Sequence, residues 1–135
     1  MTNIHSPVVS ADGQTLYFTD DSFSVWYAAT RFQGFGSFTN QHTVGSALGQ
    51  GIMPPDELTM FSWNTASGRG QEVVVSTRSD KTAMFGNKIA VDSVNSTASE
   101  IPVALSDDGC VLYISSDRPS GVGGFDIWEA HRPRL

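Results

Sequence analysis

A single cysteine, Cys110, rules out a disulfide within the chain. It stands in an apolar strand pattern, where the expectation is a small buried hydrophobe and not a reactive thiol. His5, His42 and His131 are far from it and from one another, so no short-spaced metal-ligand set exists. Cations are scarce too: Lys and Arg number 8 against 14 Asp and Glu, the net charge is −6, and the 8 are scattered. No basic stripe is there to neutralise phosphates, which argues against nucleic acid and against docking on an anionic membrane. No apolar run approaches the roughly 18 residues of a spanning helix, so membrane insertion is not expected. The opening MTNIHSPVVSADG has no basic region and no apolar stretch, and does not read as a signal peptide. The compartment stays open: cytoplasmic as written, or a mature segment of an exported protein. Helix is lacking as well, since residues 81–92 carry no apolar stripe at helical period and contain Gly86.

What is present is turn chemistry and repetition. The 135 residues suit one domain, with 13 Gly, 6 Pro, 39% hydrophobic residues and only 16% charged ones. That composition fits many short strands joined by turns. The stretch Asp12-Gly13-Gln14-Thr15-Leu16-Tyr17-Phe18-Thr19 aligns without a gap with Asp108-Gly109-Cys110-Val111-Leu112-Tyr113-Ile114-Ser115. A degraded middle copy runs Asp56-Glu57-Leu58-Thr59-Met60-Phe61-Ser62-Trp63, with Glu57 in place of the turn glycine and Ser62 where an apolar residue belongs. Three closing segments align as well: Val25–Arg31, Glu72–Arg78 and Asp126–Arg132, each ending in Arg. Phe35-Gly36 and Phe85-Gly86 stand at similar distances before Pro54 and Pro102. The opening aspartates are spaced by 44 and 52 residues. A unit of this length, repeated three times, is the signature of a repeat architecture.

Each unit reads as strands. PVVS and VALS are short apolar runs; Asp-Gly marks a tight turn; QTLYFT and CVLYIS follow as second strands. A polar loop and the Arg-ending strand come next, and a weaker fourth strand falls in SFTNQHTV and NKIAVDSV. Four antiparallel strands per unit is the content of a β-propeller blade. The expected fold is all-β, with about eleven strands in three blades, at about 4–46, 50–95 and 99–135.

These residues resemble the WD-like β-propeller repeat of the TolB type. Its unit reads Pro, apolar, Ser, Pro, Asp, Gly, then Leu-Tyr-Phe, then Ser-Asp-Arg-Pro-Gly-Gly, then Asp-Ile-Trp-x-Ala-x-Arg. The third copy matches best, from Ser106 to Arg132; the first keeps Pro7, Ser10, Asp12, Gly13, Leu16, Tyr17, Phe18 and Arg31, and the second little beyond Pro55, Asp56, Thr77 and Arg78. The resemblance implies a scaffold, often periplasmic or extracellular, that binds proteins or glycans. It gives the repeated residues structural roles. Asp12, Gly13, Asp56, Asp108 and Gly109 set turns, and Tyr17, Phe61, Tyr113 and Trp128 fill layers between blades. Arg31, Arg78 and Arg132 pair with a carboxylate or with backbone carbonyls of a neighbouring blade.

Three blades cannot close a ring that needs about four to eight. Two explanations stand. Two chains associate head to tail into a six-bladed homodimer, residues 1–5 of one supplying an outer strand to the last blade of the other. Alternatively, the chain is part of a longer propeller or a small open β-domain.

Catalysis is weakly supported. Asp20-Asp21, Asp107-Asp108 and Asp117 with Asp126 are candidate carboxylate pairs for glycoside hydrolysis, but turn aspartates are expected for backbone bonding. SADGQT resembles the Asp-box of sialidase-type propellers without its intervening residue or closing Trp. There is no Gly-x-Ser-x-Gly, no regular calcium spacing around Asp20 and Asp21, and no helix after SGVGG to bind phosphate. No catalytic residue, metal or cofactor is assigned; calcium is the one ion the loop acids bring to mind. The leading expectation is a non-catalytic module that binds a protein or glycan through loops. Trp63, Arg69 and Arg118 are its contact candidates, with Asp117 and Asp126 in the same loop. The alternative is a propeller glycoside hydrolase using loop carboxylates.

Overall fold

The structure, a computed structural model, describes residues 3–31, 36–46, 48–65, 68 and 70–132. It is all-β: eleven antiparallel strands form three meandering sheets of four, four and three, with no helix among the described residues. The first sheet holds β1 (His5–Val9), β2 (Thr15–Thr19), β3 (Val25–Thr30) and β4 (Thr39–Ser46). The second holds β5 (Leu48–Ile52), β6 (Thr59–Asn64), β7 (Glu72–Thr77) and β8 (Ile89–Ala90). The third holds β9 (Glu100–Leu105), β10 (Val111–Ser116) and β11 (Asp126–His131), with β11 at its edge.

The aligned aspartate turns make matching hydrogen bonds. In the first copy Ser10 Oγ donates to Asp12 Oδ1 at 2.6 Å, and Asp12 Oδ1 accepts the Gln14 N–H at 2.9 Å. In the third, Ser106 Oγ donates to Asp108 Oδ1 at 2.6 Å, and Asp108 Oδ1 accepts the Cys110 N–H at 3.0 Å. Asp56 takes the Leu58 N–H in the same way. Gly13 and Gly109 need positive φ, 71° and 64°; Glu57 adopts 59° at the equivalent place, a left-handed conformation that costs a residue with a Cβ.

The repeated arginines brace their own turns. Nε of Arg31 donates to the Gly13 carbonyl and Nε of Arg78 to the Glu57 carbonyl, both at 2.8 Å, while the Arg132 guanidinium lies against Gly109. Arg78 also donates to the Tyr17 hydroxyl of the first sheet, at 2.8 Å. Asn3 and His5 are tied to Asp21 in the loop after β2, the His5 Nε2 at 2.8 Å.

Side chains of alternating direction pack the sheets against one another. β1 touches β5 and β5 touches β9, so the first strands of the three sheets adjoin in series. Between the first and second sheets lie Tyr17, Trp26, Ala28, Val44, Met60 and Phe85. The Trp26 ring packs on β5, where a Cβ at Gly51 would sit 2.6 Å from it, so only glycine fits. Between the second and third sheets lie Val73, Val94, Leu112 and Ile114, with Phe61 and Trp128 packed alongside. Leu112 and Ile114 point into this second seam, so Tyr113 between them faces the other side of its sheet.

Candidate functional site

The residues singled out for ligand contact are mostly engaged with the protein itself. Arg118 donates through Nη2 to the Val94 carbonyl at 2.8 Å and to Glu100 Oε1 at 3.2 Å, and through Nε to Ser116 Oγ. Its guanidinium also lies 5.4 Å from the Trp128 ring centre. Asp117 Oδ1 accepts the Ser99 N–H at 2.8 Å, and Asp126 Oδ2 accepts the N–H groups of Val122 and Gly123. Both carboxylates therefore brace loops. Trp63 is partly buried opposite Val73 across the β6–β7 ladder. Arg69 lies outside the described residues.

Two buried carboxylates escape a reading of the sequence. Glu100, 0% exposed, is held by Arg118 and by the hydroxyls of Ser96 and Ser116. Glu57 accepts from the Tyr17 hydroxyl at 2.6 Å and from Lys81 Nζ at 2.6 Å. Burial, then the bond to Glu57, pushes the Tyr17 hydroxyl up to about 12; the same carboxylate raises Lys81. In the turns the shifts run the other way. Ser10 lowers Asp12, Ser22 lowers Asp20, and His5 lowers Asp21, each by hydrogen bonding to the ionised form. No three His, Cys, Asp or Glu side chains converge as a metal site among the described residues.

A cavity of about 410 Å³ opens in the seam between the second and third sheets. Phe61, Val91 and Val94 line one side; Leu112, Trp128 and Ala130 line the other. Arg118 and Arg132 also reach it, as does Cys110, which is only partly buried and not the sealed core residue its strand pattern suggests. Asn95 follows Val94 of the cavity lining in the chain. Its side-chain amide bonds both the N–H and the C=O of Val73, at 2.8 and 2.9 Å, and that carbonyl also accepts the Val91 N–H at 3.0 Å. The chemistry on offer is apolar and aromatic with cationic flanks, suited to binding a ring or an aliphatic group. One sequence signal points here: Trp128 and Ala130 alternate on an edge strand. No family model matches the chain, and no curated protein does.

Proposed function

We propose that the chain is a non-catalytic scaffold of three propeller-type blades, which joins a second copy head to tail in a six-bladed ring and binds a protein or glycan through its loops. One comparison of equivalent positions carries the reading. Trp26 and Val73 hold the same place in the first and second sheets and are each 0% exposed; Ile127 holds it in the third and is 65% exposed. Tyr113 shares that outer face, in the place of Tyr17 and Phe61. At the other end, Leu16 and Tyr27 share the outer face of the first sheet, in the places of the buried Met60 and Val74. The two faces are counterparts of the two sides of each internal seam, so each offers what the other lacks.

The absence of catalysis in this reading is supported by how the carboxylates are used. Asp117 and Asp126 accept backbone N–H groups, and Glu57 and Glu100 are enclosed by donors. The test is the mass in solution by light scattering on a sizing column. A mass near twice 14.5 kDa is expected; a clean monomer at all concentrations overturns the ring.

A further inference from the structure

Two residues that no other copy repeats meet beside the middle turn. Glu57 stands where the other copies have Gly13 and Gly109, and it holds a positive φ that glycine would hold without strain. Its side chain is 5% exposed and accepts from Lys81 Nζ at 2.6 Å. Lys81 is three positions after Arg78; Gly34 and Leu135 stand three positions after the other repeated arginines. The two cations near Glu57 differ in freedom. Arg78 is buried and donates to the carbonyls of Glu57 and Lys81 and to the Tyr17 hydroxyl. It also lies over the Phe85 ring at 4.5 Å, as Arg31 lies over Phe38 at 4.7 Å, each phenylalanine seven positions after its arginine. Lys81 is 55% exposed and reaches the cluster by its ammonium.

A second cavity, of about 180 Å³, opens here between the first and second sheets. Tyr17 and Glu57 line it together with Val9 and Ala11 on one side and Met53 and Pro54 on the other. Both sides belong to turns that join described strands, β1 to β2 and β5 to β6. Ser10 and Ala11 occupy the places that Pro54 and Pro55 hold in the second copy. Across the second seam, a Cβ on Gly109 would lie 3.9 Å from Pro54, an ordinary contact. The smaller pair leaves room in the first seam. Among the described residues Glu57 brings the only charge to the lining, and the rest is mostly apolar.

We propose that this cavity binds a primary alkylammonium ion, which replaces Lys81 on the Glu57 carboxylate. The alkyl part lies against Val9, Met53 and Pro54, and the ammonium meets the one anion of the lining. A carboxylate so enclosed keeps its charge only while it is paired. Lys81 pairs it in the free protein and turns out to solvent when the ligand enters. The exchange leaves one ammonium on one carboxylate, so the cluster loses no charge. An anion would be repelled by Glu57, and a quaternary ammonium has no N–H to give it. A free amine and the lysine side chain of a polypeptide carry the same group. The site stands independently of ring closure, since it lies within one chain.

The probe is n-butylammonium chloride, titrated at constant ionic strength while the amide NMR spectrum is followed. Saturable shifts are expected at Val9, Ala11 and Glu57, with a dissociation constant of about 1–10 mM. Lys81→Ala removes the competing ammonium and should tighten binding about two- to fivefold, the worth of a half-exposed ion pair. Glu57→Gln should weaken it about tenfold or more. If Glu57→Gln fails to fold, Lys81→Ala still decides, because its side chain is largely in solvent. No saturable shift up to about 100 mM overturns the proposal, as does tetramethylammonium binding equally well. A Lys81→Ala variant that binds no more tightly overturns the exchange. Nα-acetyl-lysine amide separates the sources. Binding about tenfold tighter than butylammonium assigns the side chain of a polypeptide, and equal or weaker binding assigns a free amine.

Discussion

Tyr17 and Arg78 stand 61 positions apart and share a 2.8 Å hydrogen bond across the seam between the first and second sheets. The tyrosine hydroxyl accepts from the guanidinium and donates to Glu57 at 2.6 Å, so a single oxygen joins two sheets. Tyr17→Phe leaves both partners enclosed and each short of one bond. The expected cost is about 1–3 kcal/mol, seen as a lower urea midpoint at unchanged slope. An unchanged midpoint would show that the bond contributes nothing to stability.

The same hydroxyl predicts alkaline behaviour. Its folded value is about 12, against about 10 in an unfolded chain. Between these the unfolded chain releases a proton that the folded chain keeps. The contribution is therefore complete below about pH 10 and is lost as pH rises through about 12. It amounts to on the order of 2 kcal/mol. Urea titrations across that window should show the gap between the wild type and Tyr17→Phe narrowing as pH rises. A constant gap would contradict the shift.

Glu57 sets two effects against each other. Its φ of 59° carries strain of about 1–2 kcal/mol that glycine would not have. Its carboxylate is buried and accepts from the enclosed Tyr17 hydroxyl as well as from the largely exposed Lys81; losing that charged acceptor for Tyr17 costs about 1.5–3 kcal/mol, to which the lost packing of the side chain adds. Together these outweigh the strain, so Glu57→Gly is expected to destabilise although it restores the residue found at Gly13 and Gly109. Thermal unfolding decides; a higher Tm would mean that turn strain dominates.

How much of this is legible in the sequence follows from what alternation and turns can encode. Asp-Gly turns and apolar alternation locate the strands of the first and third copies, because both signals are local. Glu57 hides the middle turn, since nothing local shows that a distant Tyr17 makes a glutamate worth its strain. Arg118 and Asp117 read as loop residues, and only their distance to Glu100 and to the Ser99 N–H reveals them as internal braces. A further rhyme, Phe38 and Phe85 each seven residues after Arg, is present in the sequence. It is overshadowed there by Phe35-Gly36 and Phe85-Gly86, of which Phe35 lies outside the described residues. The cavity has no local signal, because it is defined by what two sheets leave unfilled.

Ser62 occupies a position that the repeat assigns to an apolar side chain. It is fully buried, and its hydroxyl finds no partner among the described residues. Ser62→Ala removes an unsatisfied group without changing the backbone, so it should be neutral or stabilise by about 1 kcal/mol. Differential scanning calorimetry reads this as a small rise in Tm. A clear fall would mean that the hydroxyl is bonded, for instance to a buried water.

Asp126 separates a scaffold from a hydrolase. Its carboxylate accepts the Val122 N–H at 2.8 Å and folds the loop back so closely that a Cβ at Gly121 would run into it. Asp126→Asn keeps the shape but gives up the charge-assisted acceptor, with one of the two oxygens replaced by a donor. A bracing role predicts a loss of about 1 kcal/mol, and no glycoside turnover in either protein. Asp117→Asn should behave alike, because its single backbone partner, Ser99, ties the third sheet's loop to the start of β9. An acid or base in catalysis would give the reverse pattern: activity present in the wild type, abolished in both variants, and stability untouched. Measuring urea midpoints together with hydrolysis of aryl glycosides tells the two apart, since loop bracing and proton transfer place their cost in different observables.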